Sequence, residues 1–313
     1  MHKMGGLAVL RRRHRRKFGV LTFHSFSERD QPNVEAICAH IVRHFEPVSL
    51  SAILDALDGV KALPDNAITV TVDDGYRSFL LHGHPIFRQN RIPVTVYAVA
   101  GFSDGRLWLW PDQIEFGLRH TARSSVRTPL GDGEPMELTL RTPEEKDDAI
   151  FRLTETLKRV SNDRRIAFLA DFGSLCGVDI PQEPPNGCEA MSWDDLRAVA
   201  SEGVEIGCHS ATHPILSRIS NRLELESEIG GAKETMEERL GMAVRHFCYP
   251  NGLATDVNEA VVRCVREAGF ASAVSTLCGF DSMEADRFQI RRVPLSSSVD
   301  PHYGAELMAG LHM

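Results

Sequence analysis

The strongest constraint on the fold of this chain is a rhythm. Short apolar runs rich in β-branched and aromatic residues stop abruptly, a histidine or aspartate follows, and helical periodicity comes next. Phe18–Phe23 ends at His24, Ala67–Val72 ends at Asp73-Asp74-Gly75, and Val204–Cys208 ends at His209. His246–Cys248 runs into the turn Tyr249-Pro-Asn-Gly252, and Pro93–Val99 is a further run of the same kind. Such runs read as buried strands. Between them lie helical patterns. Asn33 can cap a helix to about Phe45 with Val34, Ile37, Ile41 and Val42 on one face, and a second helix from Ser51 stops at Gly59. Residues 76–90 read as helix with a break at Pro85. Ser192 opens a capping box for a helix ending at Gly203, and a Glu-rich amphipathic helix over 222–240, its outer face solvated, stops at Gly241. Asp256 and Glu259 suggest another capping box, with strands Ala271–Thr276 and Phe288–Leu295 closing the pattern. Strands alternating with helices specify an α/β fold with a mainly parallel sheet, open or closed into a barrel. In either form the loops after the strand C-termini carry the chemistry, so residues more than a hundred positions apart meet on one face.

The rhythm lapses over about 101–190, which reads as a long insertion above the sheet and not as an independent domain. It contains a helix near 143–160 and two tryptophans, Trp108 and Trp110, better suited to packing than to a sugar-stacking wall. Residues 1–17 form a basic N-terminal arm ending in Arg11-Arg12-Arg13-His14-Arg15-Arg16-Lys17, leaving 18–313 as a single domain. Net charge is −8, which argues against nucleic acid as the main partner. No transmembrane segment is expected, since no apolar run approaches a membrane span. Seven cysteines, an odd count without a CxxC pair, fit a reducing compartment, and cytoplasmic location is the expectation.

Two adjacent carboxylates at a strand end, Asp73 and Asp74, point in different directions because side chains alternate along a strand. One can bind a metal while the other handles protons, although Asp-Asp-Gly is also a good turn by itself. His209 and His213 stand four residues apart at another strand end. Two imidazoles and one carboxylate are a familiar set for a catalytic divalent ion with a position left for water. His40 and His44 share that spacing inside an ordinary amphipathic helix and read as solvated surface.

In combination, Val70-Thr-Val-Asp-Asp-Gly75, His209-Ser-Ala-Thr-His-Pro214 and Phe247-Cys-Tyr-Pro-Asn-Gly252, in that order, resemble the polysaccharide deacetylase superfamily (NodB homology, carbohydrate esterase family 4). The resemblance covers roughly residues 18–100 and 190–295. It implies a deformed (β/α) barrel and one divalent metal ion, zinc by the ligand types. By position, Asp74, His209 and His213 match the metal ligands and Asp73 the catalytic base. Asn251 and Tyr249 lie in the turn matching the family's oxyanion and substrate contacts, and Ser210 is placed to orient the histidine loop. The implied activity is hydrolysis of the N-acyl, usually acetyl, amide of an amino sugar, with a carbohydrate substrate and an open oligomeric state.

Two departures qualify the match. Cys248 occupies the place of an arginine that orients the base, and Arg291 or Arg292 on the last strand could fill that role, Arg292 being counted among the substrate contacts as well. The late Leu-x-His motif that supplies the general acid is missing, which makes His24 the candidate for leaving-group protonation or substrate contact. Two other readings stay open: a hydrolase of a non-sugar amide or ureide on the same barrel, and a catalytically silent carbohydrate-binding protein.

Overall fold

The computed structural model describes residues 2–131 and 135–311. Seven parallel strands form the barrel: β1 Gly19–Phe23, β2 Ala67–Val72, β3 Val94–Ala98, β4 Glu205–Cys208, β5 His246–Cys248, β6 Ser272–Cys278 and β7 Ile290–Pro294. The ring closes because β1 pairs with β2 along Gly19–Phe23 and with β7 through Leu21 and Thr22. It is deformed: β4 and β5 share a single register position, Cys208 beside Phe247, and the β6–β7 register shifts between Ile290 and Arg292. Among the described residues no helix is long and apolar enough to cross a membrane.

Alternation along each strand builds two cores. Leu21, Ile68, Val70, Val96, Ile206 and Phe247 face outward against the helices, where Gln31–His44 contributes Val34, Ile37 and Ile41. Val42, expected on that same face, is exposed. The inward set is Val20, Ala67, Tyr97, Cys248, Val274 and Ile290. Gly207 belongs to it by necessity: a Cβ there would lie 2.5 Å from the Tyr97 ring, so the barrel accommodates that large side chain only opposite a glycine. The lower end is plugged by helix Leu50–Leu57, whose first backbone N–H groups, on Leu50 and Ser51, donate to the Glu205 carboxylate. Its cap is Ser49, two residues earlier than the helix start read from the sequence.

Most element boundaries fall where the sequence puts them, including the Ser192/Asp195 capping box. Others differ. The helix read from Asp256 is capped by Asn258 instead, whose side chain accepts from Val261 N. The stretch 76–90 is a π-turn, Phe79–Gly83, followed by helix His84–Gln89. His40 and His44 are partly buried, their rings 4.6 Å apart, because the helix packs more of its circumference than its apolar stripe. The basic arm is helical over His2–His14. All seven cysteines are free.

The insertion has its own packing centre. Helices Trp110–His120, Pro143–Leu157 and Asn162–Cys176 pack with the hairpin Ser125–Thr128/Met136–Thr139 around Ile114, Leu138, Leu153 and Phe172. A second cluster, Tyr76, Phe102, Trp108 and Leu109, joins it to the barrel. Trp108 and Trp110 are both buried, which removes the sugar-stacking alternative for them.

Candidate active site

The inward column of each strand continues one step past its end, and that step places the site. On β1 the sequence Val20, Thr22, His24 leads upward; on β2 it is Thr69, Thr71, Asp73; on β4 it is Glu205, Gly207, His209. Three residues from three distant segments thereby reach one mouth. Asp74, next in line, adopts a left-handed backbone (φ 71°), which turns its carboxylate away from that of Asp73.

Asp74 Oδ1 lies 3.4 Å from His209 Nε2 and 3.4 Å from His213 Nε2. An ion bonded at ~2.1 Å to two donors at a tetrahedral angle holds them about 3.4 Å apart, so the spacing suits a small divalent cation. The supporting bonds agree. His209 Nδ1 is 2.7 Å from the Cys248 carbonyl, which accepts its N–H and leaves the Nε2 lone pair facing Asp74. Ser210, with φ 68°, accepts from His213 N at 3.0 Å and so folds the loop that brings the second imidazole back. Among the described residues His213 Nδ1 has no partner. Burial, reinforced by the neighbouring His209, pushes His213 down to about 3. Burial also works against charge on His209, but the acidic groups around it, Asp74 included, hold its pKa above the ordinary value.

Asp73, His209 and Cys248 also gather within ligand range, but both Asp73 oxygens are already engaged. Arg292 donates Nη1 to Oδ1 and Nη2 to Oδ2, each at 2.7 Å, in a two-bond ion pair with no measurable exposure on the guanidinium. Thr22 and Thr71 hydroxyls and the Ser275 carbonyl complete the Arg292 environment, and Nη2 reaches Cys248 Sγ at 3.3 Å. The register shift on β7 falls beside Arg292, and bulges re-aim side chains in this way. Burial opposes the charge on Asp73, but the paired guanidinium outweighs it and keeps the carboxyl well below the usual carboxylate range. Arg292 is thus the cation beside Asp73 that Cys248 cannot be, while Arg291 points outward.

The remaining sequence candidates divide. His24 is half exposed at the mouth, its Nε2 3.8 Å from Asp73 Oδ2. Asn251 sits in the expected tight turn with φ 61°, its side chain turned to Asp256. Tyr249 and Arg292, both expected to touch substrate, are buried. Alternation explains Tyr249: Cys248 points into the barrel, so Tyr249 points out and donates its hydroxyl to the Phe288 carbonyl at 2.9 Å. Asp112 went unnoticed in the sequence. From the first turn of Trp110–His120 it accepts the Tyr76 hydroxyl at 2.8 Å, and burial pushes its carboxyl up to about 7. Pro111 inside a helix start was the available signal.

A family model described as polysaccharide deacetylase matches residues 173–273, a span that includes His209, His213 and the Asn251 turn. Over 60 residues the chain is 37% identical to poly-beta-1,6-N-acetyl-D-glucosamine N-deacetylase of Escherichia coli K12, a match covering 19% of this chain and 9% of that protein. The deacetylase PplD of Streptococcus pyogenes, solved in complex with acetate, superposes with a TM-score of 0.59 at 11% identity, over 94% of this chain and 99% of that one. The deacetylase domain of BpsB from Bordetella bronchiseptica gives 0.56 at 17% identity, over 90% and 96%. At these identities the two structures establish the shared fold.

Proposed function

This chain belongs to the polysaccharide deacetylase superfamily, and from that premise we propose that it hydrolyses the N-acetyl amide of an amino sugar in a polysaccharide or glycan precursor. Asp74, His209 and His213 would hold one divalent ion, zinc by the nature of the donors. That ion would supply Lewis-acid polarisation of the amide carbonyl and lower the pKa of the attacking water.

The other steps belong to the chain's own residues. Asp73, ionised across the working pH range, takes the proton of the attacking water. Arg292 fixes both its oxygens, so the carboxylate cannot rotate away, at the cost of some basicity. His24, beside Asp73 Oδ2 and open to solvent, is placed to give a proton to the departing amine. A backbone N–H in the Asn251 turn would meet the oxyanion of the tetrahedral intermediate.

One observation carries this reading: a carboxylate oxygen equidistant from two imidazoles, next to a second carboxylate locked by a buried arginine. The test is acetate release from N-acetylglucosamine oligomers with zinc present. Activity abolished by Asp73→Asn and by chelation supports the proposal. Turnover of cyclic ureides with none on the oligomers would move the substrate class, and metal uptake with neither activity would leave a binding protein.

A further inference from the structure

The loop between the two imidazoles is held from both sides by groups outside the ligand set. Beneath it, the Glu-rich helix is interrupted by a π-turn, Ser227–Gly231, between segments Arg222–Glu226 and Ala232–Leu240. The turn rotates Glu228 inward, where the residue is 8% exposed. There Glu228 Oε2 accepts Ala211 N at 3.0 Å and Thr212 N at 2.9 Å, and Oε1 accepts the Thr212 hydroxyl at 2.6 Å. One carboxylate thus binds both residues directly preceding His213. Single-turn π elements inside helices recur at functional sites because they aim a side chain that the regular helix would leave outside.

Above the loop, the insertion makes the matching contact. Trp110 donates Nε1–H to the His213 carbonyl at 3.2 Å. Its ring is covered by the buried guanidinium of Arg165, 5.3 Å from the centroid, whose charge also acts on Glu228. Asn162, in the same insertion helix, bonds Arg165 on one side and Glu224 on the other, each at 2.6 Å.

We infer that Glu228 and Trp110 are positioning residues for the metal ligand His213, so that the insertion is a working part of the metal centre; this rests on the metal reading above. Groups that fix ligands from behind typically change metal affinity 10–100-fold when removed. Glu228→Ala removes three side-chain hydrogen bonds from the loop, leaving Ala211 N only the backbone carbonyl of residue 228, and roughly 10–100-fold weaker zinc binding is expected from it. Glu228→Gln keeps the shape and can satisfy the same three groups, so it restores affinity to within about threefold of wild type, since the second-layer bonds survive. Trp110→Phe deletes one N–H and little volume, with an expected loss of roughly 3–10-fold.

The experiment measures zinc affinity by competition with a chelating dye and the visible spectrum of the cobalt-loaded protein, beside the melting temperature of each metal-free variant. Weakened binding in Glu228→Ala and Trp110→Phe, a changed cobalt spectrum and rescue by Glu228→Gln support positioning. Wild-type zinc affinity and an unaltered cobalt spectrum in both, whatever happens to the melting temperature, overturn it while leaving the metal reading intact. Should Glu228→Ala not fold, Trp110→Phe decides alone on the same criteria. A wild-type chain that takes up no zinc overturns both readings.

Discussion

Replacing Arg292 with methionine removes the cation beside Asp73 while keeping a long side chain in its place. The guanidinium has no measurable exposure and Asp73 has almost none, so solvent cannot replace the lost pairing. What stays near the carboxylate is the Cys248 thiol at 3.5 Å and the half-exposed His24 at 3.8 Å. Breaking one side of a buried ion pair costs about 3–5 kcal/mol. At about 2–4 °C per kcal/mol, the melting temperature should fall by roughly 6–20 °C. The direction with pH follows from the sign of the shift. In the wild type the Asp73 carboxyl lies below its unfolded value, so the pair's contribution is present in full above that value and disappears as pH falls through the lower folded one. In the variant burial, which raises the carboxyl, is opposed only by the nearby His209 and His24, so stability should instead decline as pH rises through a raised folded value. Differential scanning calorimetry between pH 5 and 9, with chelator present so that metal loss plays no part, reads both effects. Adding Asp73→Asn to the variant removes the orphaned charge and should recover most of the lost stability without recovering activity. The acid limb of kcat/KM should move to higher pH in Arg292→Met. A melting temperature within 2 °C of wild type together with an unmoved acid limb would refute the role assigned to Arg292.

Asp112, pushed up to about 7, contributes stability that is full below its unfolded value and is lost as pH rises toward and through 7. Asp112→Asn should therefore stabilise the protein at pH 8.5 and do little at pH 5; equal shifts in melting temperature at both pH values would contradict this. Gly207→Ala drives a methyl group into the Tyr97 ring at 2.5 Å inside the barrel, and overpacking of that kind costs about 1–3 kcal/mol, readable by urea denaturation. His24→Ala should lower kcat about 10²–10⁴-fold with zinc affinity unchanged, whereas full activity would remove it from proton transfer.

How much of the molecule was legible in the sequence depended on distance along the chain. Strand ends were readable because the two-residue period of a strand is local, and that period extrapolates past Phe23, Val72 and Cys208 to His24, Asp73 and His209. The same rule, applied one residue further, would have sent Tyr249 outward, since Cys248 faces in. Arg292 could be suspected only as a substitute for an absent arginine; its bond to Asp73 spans 219 positions and depends on a register shift that no local pattern announces. Glu228 resembled the other glutamates of its helix. The consecutive Gly230 and Gly231 in mid-helix were the single hint that the regular ladder is interrupted there. Two insertion helices were missed despite punctuation at their ends, Pro111 in one and Ser161 with Gly177 in the other, because flanking loop-like segments diluted the periodicity.

Asp74, His209 and His213 are proposed to hold one divalent ion. Anomalous diffraction from crystals soaked in zinc at substoichiometric concentration tests it most directly. A single strong peak is expected among Asp74 Oδ1 and the Nε2 atoms of His209 and His213, absent in Asp74→Ala. A peak elsewhere with these three side chains unmoved, or one of undiminished strength at this place in Asp74→Ala, would contradict it.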